Sequence, residues 1–196
     1  MAKRPTKVVT PEYRFSFMSL DVPGKIDPND PNEQEKYSLT LVVPKTETTF
    51  LETLREAYDN AVANMTDFNK NFEPTPFVRP KGKNQSGLLK DEDIQKETQF
   101  PGCYTLQLKT KPEYKPDVLC KELGRKILTP EEIREHLYPG CYGKASFSLF
   151  GYSNKAEGIS AGLGNVLKTK DGERLGGKVS GLVEFGDELE ATDDLL

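Results

Sequence analysis

Hydrophobic and polar positions alternate most regularly between Tyr138 and Gly177. The stretch opens at Pro139-Gly140 and keeps period two as far as Tyr152. Period two marks a strand, because successive side chains leave opposite faces of a pleated backbone. Cys141, Gly143, Ala145, Phe147, Leu149 and Gly151 share one face, small and apolar as an interior requires. Tyr142, Lys144, Ser146, Ser148, Phe150 and Tyr152 share the other. A solvated face has little reason to hold three rings, so this face is the leading candidate for a working surface. The chain turns at Ser153-Asn154-Lys155, runs extended again and closes on Asp171-Gly172, a hairpin-type dipeptide.

The same reading places other elements. Tyr13 to Leu20 predicts a strand with Tyr13, Phe15 and Phe17 on one face. Lys36 to Val43 predicts a second, with Tyr37, Leu39, Leu41 and Val43 buried. From Thr46–Thr48 to Met65 the apolar positions Phe50, Leu51, Leu54, Ala57, Tyr58, Ala61, Val62 and Met65 step by three and four. That spacing makes one apolar helix stripe, expected to pack over a sheet, with Thr46 or Thr48 as cap. Periodicity fails from Thr66 to Gln99, where Arg79, Lys81 and Lys83 cluster and Leu88 to Glu97 predicts at most a short helix. Phe100 to Lys109 echoes the opening stretch: an aromatic, then Pro-Gly-Cys-Tyr, then a strand. Its Tyr104, however, falls on the apolar side with Leu106 and Leu108. Val118–Cys120 and Arg125–Leu128 read as short strand pieces around a turn. Thr129-Pro130 starts a short helix, and Val179 to Phe185 predicts a last edge strand. Met1 to Pro11 reads as a loose arm. Five or more strands with one substantial helix predict a mainly β fold. The order fits an OB-fold-like five-stranded Greek-key barrel with a packed α-helix, long loops and a tail.

Composition narrows the class. The chain has 196 residues, of which 35% are hydrophobic, with 16 Gly and 14 Pro, consistent with a modest core carrying long loops. No apolar run approaches a membrane span, and the basic N-terminus has no secretory core. A cytosolic location and three reduced thiols are expected. The net charge of −4 hides a segregation. Glu184, Asp187, Glu188, Glu190, Asp193 and Asp194 follow Gly181 with no Lys or Arg among them. Setting those six aside leaves 25 acids against 27 bases, so the body is mildly basic at +2. The division expected is one OB-fold-like domain over 1–183 and a disordered acidic tail over 184–196.

Enzymatic chemistry finds little support. The one histidine, His136, sits in a short charged helix and reads as a surface residue. Cys103, Cys120 and Cys141 lie 17 and 21 residues apart with no Cys-x-x-Cys pair, so core thiols are favoured over zinc, and no cofactor is expected. Gly162-Leu163-Gly164 lacks the third glycine of a dinucleotide loop and reads as close backbone approach. Neither a nuclease's acid pair nor a catalytic triad has local support, and the protein is expected not to be an enzyme.

Nucleic-acid binding does better. Lys109, Lys111 and Lys115 follow one strand, Lys144 and Lys155 flank the rings, and Lys168, Lys170 and Arg174 cluster near the last turn. Rings stack on the π-faces that every base offers, and lysines track phosphates. The rival reading is that Tyr142, Phe150 and Tyr152 pack under a loop, and that the sheet binds protein in an interaction or structural module. An acidic tail can occupy a basic groove as a phosphate mimic, or dock on partners through Asp187, Glu188, Glu190, Asp193, Asp194, Leu195 and Leu196.

Gly140-Cys141-Tyr142, the aromatic strand Phe147 to Tyr152, Gly158 to Val166 and Lys170 to Glu173 together closely resemble the C-terminal half of a family of bacteriophage single-stranded-DNA-binding proteins. The likeness is strongest over the last third of the chain. It implies an OB-fold with an acidic tail, and sequence-independent binding of single strands in phage replication, recombination or repair. It implies single-stranded DNA as partner, phage or host replication proteins at the tail, and no membrane; a homodimer is left open. Tails of many such proteins end in an aromatic residue, whereas this one ends in Leu195-Leu196.

Overall fold

A computed structural model describes residues 3–25, 33–81, 86–94, 98–124, 126–153 and 156–176. Five strands carry the architecture: β2 (Tyr13–Gly24), β3 (Lys36–Pro44), β5 (Cys103–Thr110), β7 (Tyr142–Ser153) and β8 (Glu157–Lys170). They close a ring in the order β2-β3-β5-β8-β7 and back to β2. Four of the five neighbour pairs are antiparallel; β5 and β8 alone run parallel. This connectivity is that of the OB barrel, and closure removes the open sheet edges that would template pairing with other chains. Three short strands decorate it. β1 (Lys7–Val9) pairs with β7, β4 (Leu89–Asp91) with β5, and β6 (Val118–Cys120) with β8.

Alternation built the interior as expected. Phe15, Leu39, Leu41, Leu106, Leu108, Ala145, Phe147, Leu149 and Val166 all face inward and are buried. Helix α1 (Thr48–Phe68) packs on β7 and β1 and buries Phe50, Leu54, Ala57, Tyr58 and Ala61 of the predicted stripe. Helix α2 (Pro130–His136) packs on β2 and has the predicted cap. Thr129 Oγ1 accepts from the Glu132 amide at 3.3 Å, and the Glu132 carboxylate accepts from the Thr129 amide at 2.9 Å. Both Pro-Gly strand openings rest on left-handed glycines, with φ of 72° at Gly102 and 114° at Gly140.

Several local expectations were displaced by tertiary partners. The supposed loose arm contains β1 and is tied to α1: the Arg4 amide donates to Asn64 Oδ1 at 2.9 Å and the Arg4 guanidinium to Asp67 at 2.7 Å. Leu89–Asp91 forms a strand on β5 and Glu92–Ile94 a single 3-10 turn, where a short helix was expected. Glu92 is buried there and accepts from Thr98 and Thr105, and Thr105, on the outward side with Gln107, is covered instead of exposed. The N-cap of α1 is Glu47, without a side-chain cap bond, in place of Thr46 or Thr48. Asp171-Gly172 makes no hairpin: the chain leaves β8 and packs on Tyr138, whose hydroxyl donates to Asp171 at 2.9 Å. Phe17 leaves the face of Tyr13 and Phe15, because β2 bulges against β3 between Phe15 and Met18. His136, expected at the surface, is half-buried beside Glu135. The three cysteines are free thiols, two of them buried, and the described residues hold no metal-ligand cluster. No helix among the described residues is long and apolar enough to cross a membrane. The predicted strand Val179 to Phe185 lies outside the described residues.

Candidate nucleic-acid interface

The outward face of β7 carries rings because β8 is short of side chains opposite them. Phe150 pairs across the ladder with Ser160, and its ring lies over Gly162, where an added Cβ would sit 3.2 Å from it. Tyr152 pairs with Gly158, where a Cβ would come within 2.7 Å of the Tyr152 hydroxyl. The glycines of β8 are therefore the floor on which the two rings lie. Phe150 remains 47% exposed and Tyr152 half-buried. A ring so placed is supported on one side and open to a stacking partner on the other.

Across β8 the parallel strand β5 supplies the charge. Lys109 lies beside Gly162 on β8 and opposite Ser38 on β3. Lys36 opens β3 on the same outward side, and Lys111 follows β5 directly. Together with Phe150, Tyr152 and the exposed ring of Tyr114 they line a cleft of ≈ 650 Å³. No Asp or Glu lines it among the described residues. Burial, then the neighbouring charge of Lys36, push the Lys109 ammonium below the ordinary lysine range, with Glu33 opposing in part. None of Lys36, Lys109 and Lys111 forms a salt bridge among the described residues. A half-desolvated lysine with no salt bridge among the described residues gains from an anion brought to it. The cleft therefore offers stacking platforms beside phosphate-sized sites of positive charge.

The predicted residues do not all meet there. Phe150, Tyr152, Lys109 and Lys111 do. Tyr142 is eight residues from Phe150 along β7, roughly 25 Å at strand rise. It belongs to a second cluster at the far end of the barrel. Lys170 Nζ stands 4.7 Å from the Tyr142 ring centre and bonds Glu12 at 2.6 Å. Lys144 is exposed close to Glu12, and the Arg174 guanidinium stacks 4.0 Å from the Tyr138 ring. Lys168 departs from expectation. It follows the inward parity of Val166, is 2% exposed, and reaches Asp171 at 2.5 Å and Glu122 at 3.8 Å. Burial lowers its pKa, but the bond to Asp171 and the two carboxylate charges prevail and leave it raised. It is an internal ion-pair residue and has no free face for a phosphate. Lys155 and the tail residues Asp187, Glu188, Glu190, Asp193, Asp194, Leu195 and Leu196 lie outside the described residues.

Sequence reasoning missed Lys36 and Tyr114. Lys36 shares parity with Ser38 and Thr40, which could have marked it as outward, but its approach to Lys109 depends on the β3–β5 register. Tyr114 sits in a one-turn helix, Pro112–Tyr114, with no period to announce it.

Comparison with known proteins places this geometry. A family model described as "Enterobacter phage Enc34, ssDNA-binding protein" matches residues 6–196. The chain belongs to this family. A relative, protein p50 of Acyrthosiphon pisum secondary endosymbiont phage 1, is 27% identical over 179 residues, covering 90% of this chain and 93% of the relative. Among solved structures, the single-stranded DNA-binding protein from bacteriophage Enc34 in complex with ssDNA superposes with a TM-score of 0.68 at 24% identity, over 87% of this chain and 90% of that one. Gp2.5, a single-stranded DNA binding protein encoded by bacteriophage T7, superposes at 0.55 with 12% identity, over 96% and 97%. These two likenesses bear on the fold: the Enc34-family chain shares the mainly β architecture of phage single-strand binders.

Proposed function

We propose that this Enc34-family protein binds single-stranded DNA without sequence preference, and that it serves phage DNA replication, recombination or repair in the cytoplasm of the infected host. The observation that carries the reading is the cleft of Phe150 and Tyr152, floored by glycine and rimmed by Lys36, Lys109 and Lys111 with no lining carboxylate among the described residues. Bases stack on the rings while the lysines hold the backbone, so the chemistry is binding and not catalysis. Tyr142, Lys144, Lys170 and Arg174 form a secondary basic cluster that a longer strand reaches; the place of Tyr142 and Lys144 on the same strand as Phe150 supports this, and Glu12 weakens it by neutralising part of the charge. Lys155 belongs with the phosphate contacts by sequence position. In this reading the unit 1–183 binds DNA, and the acidic segment 184–196 competes for the groove or docks on phage or host replication proteins.

The deciding experiment is a fluorescence titration with oligo-dT at two salt concentrations. Affinity that rises with oligonucleotide length and falls with salt is expected. Absence of binding at low salt would overturn the proposal in favour of a sheet that binds protein.

A further inference from the structure

The cleft does not end at Gln107. A second cleft of ≈ 540 Å³ adjoins it and shares Ser86, Gly87, Leu88 and Gln107 with the first. Its sheet floor is Thr40 and Phe17, and its far wall carries Arg79 and Lys90. One wall is continuous. The segments around Arg79 and Leu89 bond to each other, with the Arg79 amide donating to the Leu89 carbonyl at 2.7 Å and the Leu89 amide to Phe77 at 2.9 Å. Gly87 presses on the Arg79 backbone, where a Cβ would come within 2.5 Å of its nitrogen. This paired segment overhangs the outer face of the barrel along both clefts.

The register makes the floor continuous too. Phe150 faces Ser160, and Thr40 faces Gln107. Leu108 faces Ala161 in the parallel pair, so Gln107 and Ser160, one step back on each strand, lie side by side. The β2 bulge sets Ser16 and Phe17 against Thr40. Both line the second cleft, Ser16 covered at 3% exposure and Phe17 open at 75%. One outward row therefore runs Phe150, Ser160, Gln107, Thr40, Phe17, with a ring at each end and small or polar groups between. Four interstrand steps give it a contour of about 19 Å around the barrel.

A phenylalanine this exposed on a sheet face gains nothing for the fold. Burying it would need only an unbulged β2, which would return it to the side of Phe15. The bulge re-aims a side chain toward the groove. In the second cleft Glu92 is tied to Lys90 at 3.1 Å, Thr98 and Thr105. Arg79 has no salt bridge among the described residues. The second cleft thus repeats the combination of the first: an open ring and a cation with no salt bridge among the described residues.

We infer that the two clefts form one single-strand track, in which Phe17 is a second base-stacking platform and Arg79 a second phosphate contact. The inference rests on the single-strand-binding reading above. Stacked bases are spaced about 3.4 Å apart, so rings about 19 Å apart along the floor serve different nucleotides.

The test uses the full chain with a short and a long oligo-dT, of four and sixteen nucleotides, about the limits of site size for one such barrel. Phe17→Ala is expected to weaken the sixteen-mer roughly 5- to 150-fold and the four-mer little, since a short strand can remain on Phe150. Phe150→Ala is expected to weaken both. Arg79→Gln should lower the dependence of log affinity on log salt by about 0.7 for the sixteen-mer alone. Photo-crosslinking of wild-type protein to an iodouracil-containing sixteen-mer should map to Phe17 or its neighbours, a readout independent of any variant's folding. If Phe17→Ala binds the sixteen-mer like wild type and no crosslink falls on β2, the second platform is refuted while Phe150-dependent binding stands. If wild-type protein binds neither oligonucleotide, the function itself fails.

Discussion

Replacing Phe150 by alanine separates a stacking platform from a core residue, because the structure assigns that ring about equal shares of protein contact and solvent. Phe150 is 47% exposed, and its buried side rests on Gly162. Full burial of such a side chain contributes about 1.5–3 kcal/mol, so truncation of a half-buried one should cost about 1 kcal/mol. In a domain of this size that is a fall of roughly 2–4 °C in melting temperature. Loss of a base-stacking ring should cost about 1–3 kcal/mol of binding, or roughly 5- to 150-fold in Kd. The ring neutralises no phosphate, so the slope of log affinity against log salt should not move. Phe147, three residues earlier and 1% exposed, is the control. Phe147→Ala should cost about 3–5 kcal/mol of stability through the cavity it leaves. The assay is fluorescence anisotropy with labelled oligo-dT over a salt series, beside thermal melts of both variants. Unchanged affinity in a folded Phe150→Ala protein would refute the stacking role. A melting loss as large as that of Phe147→Ala would show that the ring belongs to the core.

Other perturbations test the charges. Lys109→Met should lower the salt slope by about 0.7, one phosphate contact on a single strand, and raise the melting temperature at neutral pH. Its lowered pKa means the charged form is disfavoured in the folded state. At pH 7 that cost is present, and it fades as pH rises through the lowered pKa toward the ordinary lysine value. A drop in melting temperature with an unchanged slope would contradict this. Lys168→Met should do the reverse: lose about 1–3 kcal/mol of stability with no change in slope, since its ammonium serves Asp171 and Glu122. Asp171 has a depressed pKa, so its share of that pairing is present at neutral pH and is lost as pH falls through the depressed value, which acid melts of wild type against Lys168→Met would read. A variant ending at Glu184 should bind oligo-dT more tightly at low salt, with the difference shrinking as salt rises. Equal or weaker binding would remove the competing-tail reading.

Much of the barrel was legible because β7 obeys period two from Gly143 to Phe150: Gly143, Ala145, Phe147 and Leu149 are buried, and Lys144, Ser148 and Phe150 are exposed. The α1 stripe was legible for the same reason at period 3.6. Phe17 was not, since a bulge inserts one residue and resets parity downstream without a glycine or proline to mark it. The strand at Lys7–Val9 and the strand at Leu89–Asp91 were too short to show alternation, and complete the closure where the short pairings of β7 with β2 and of β5 with β8 leave backbone groups free. Lys168 was misjudged for a different reason. Its position two residues after the buried Val166 already placed it inward, but a lysine near a turn reads as solvated unless the parity of β8 is carried through to its end.

The distribution of the site follows from where the ring closes. β5 and β8 share only the register pairs Leu108 with Ala161 and Lys109 with Gly162, whereas β7 and β8 are paired from Tyr142–Lys170 to Ser153–Glu157. A parallel seam this short leaves the two strands diverging on either side, and a groove opens on the outer face beside it. Rings on β7 can reach that groove only if the strand between them and it lies low. β8 meets this with Gly158 and Gly162 under Tyr152 and Phe150. Tyr142 has no such passage: Gly172 and Lys170 lie against its ring, and Glu12 holds the lysine there. The tyrosine of the most recognisable motif, Gly140-Cys141-Tyr142, is thus held in the barrel-end cluster at the start of its strand. The less conspicuous glycines of β8 are what expose the two rings that face the cleft. A side chain at Gly162 larger than alanine should therefore act on binding much as removal of Phe150 does, by lifting the ring from its floor, while leaving every charge in place.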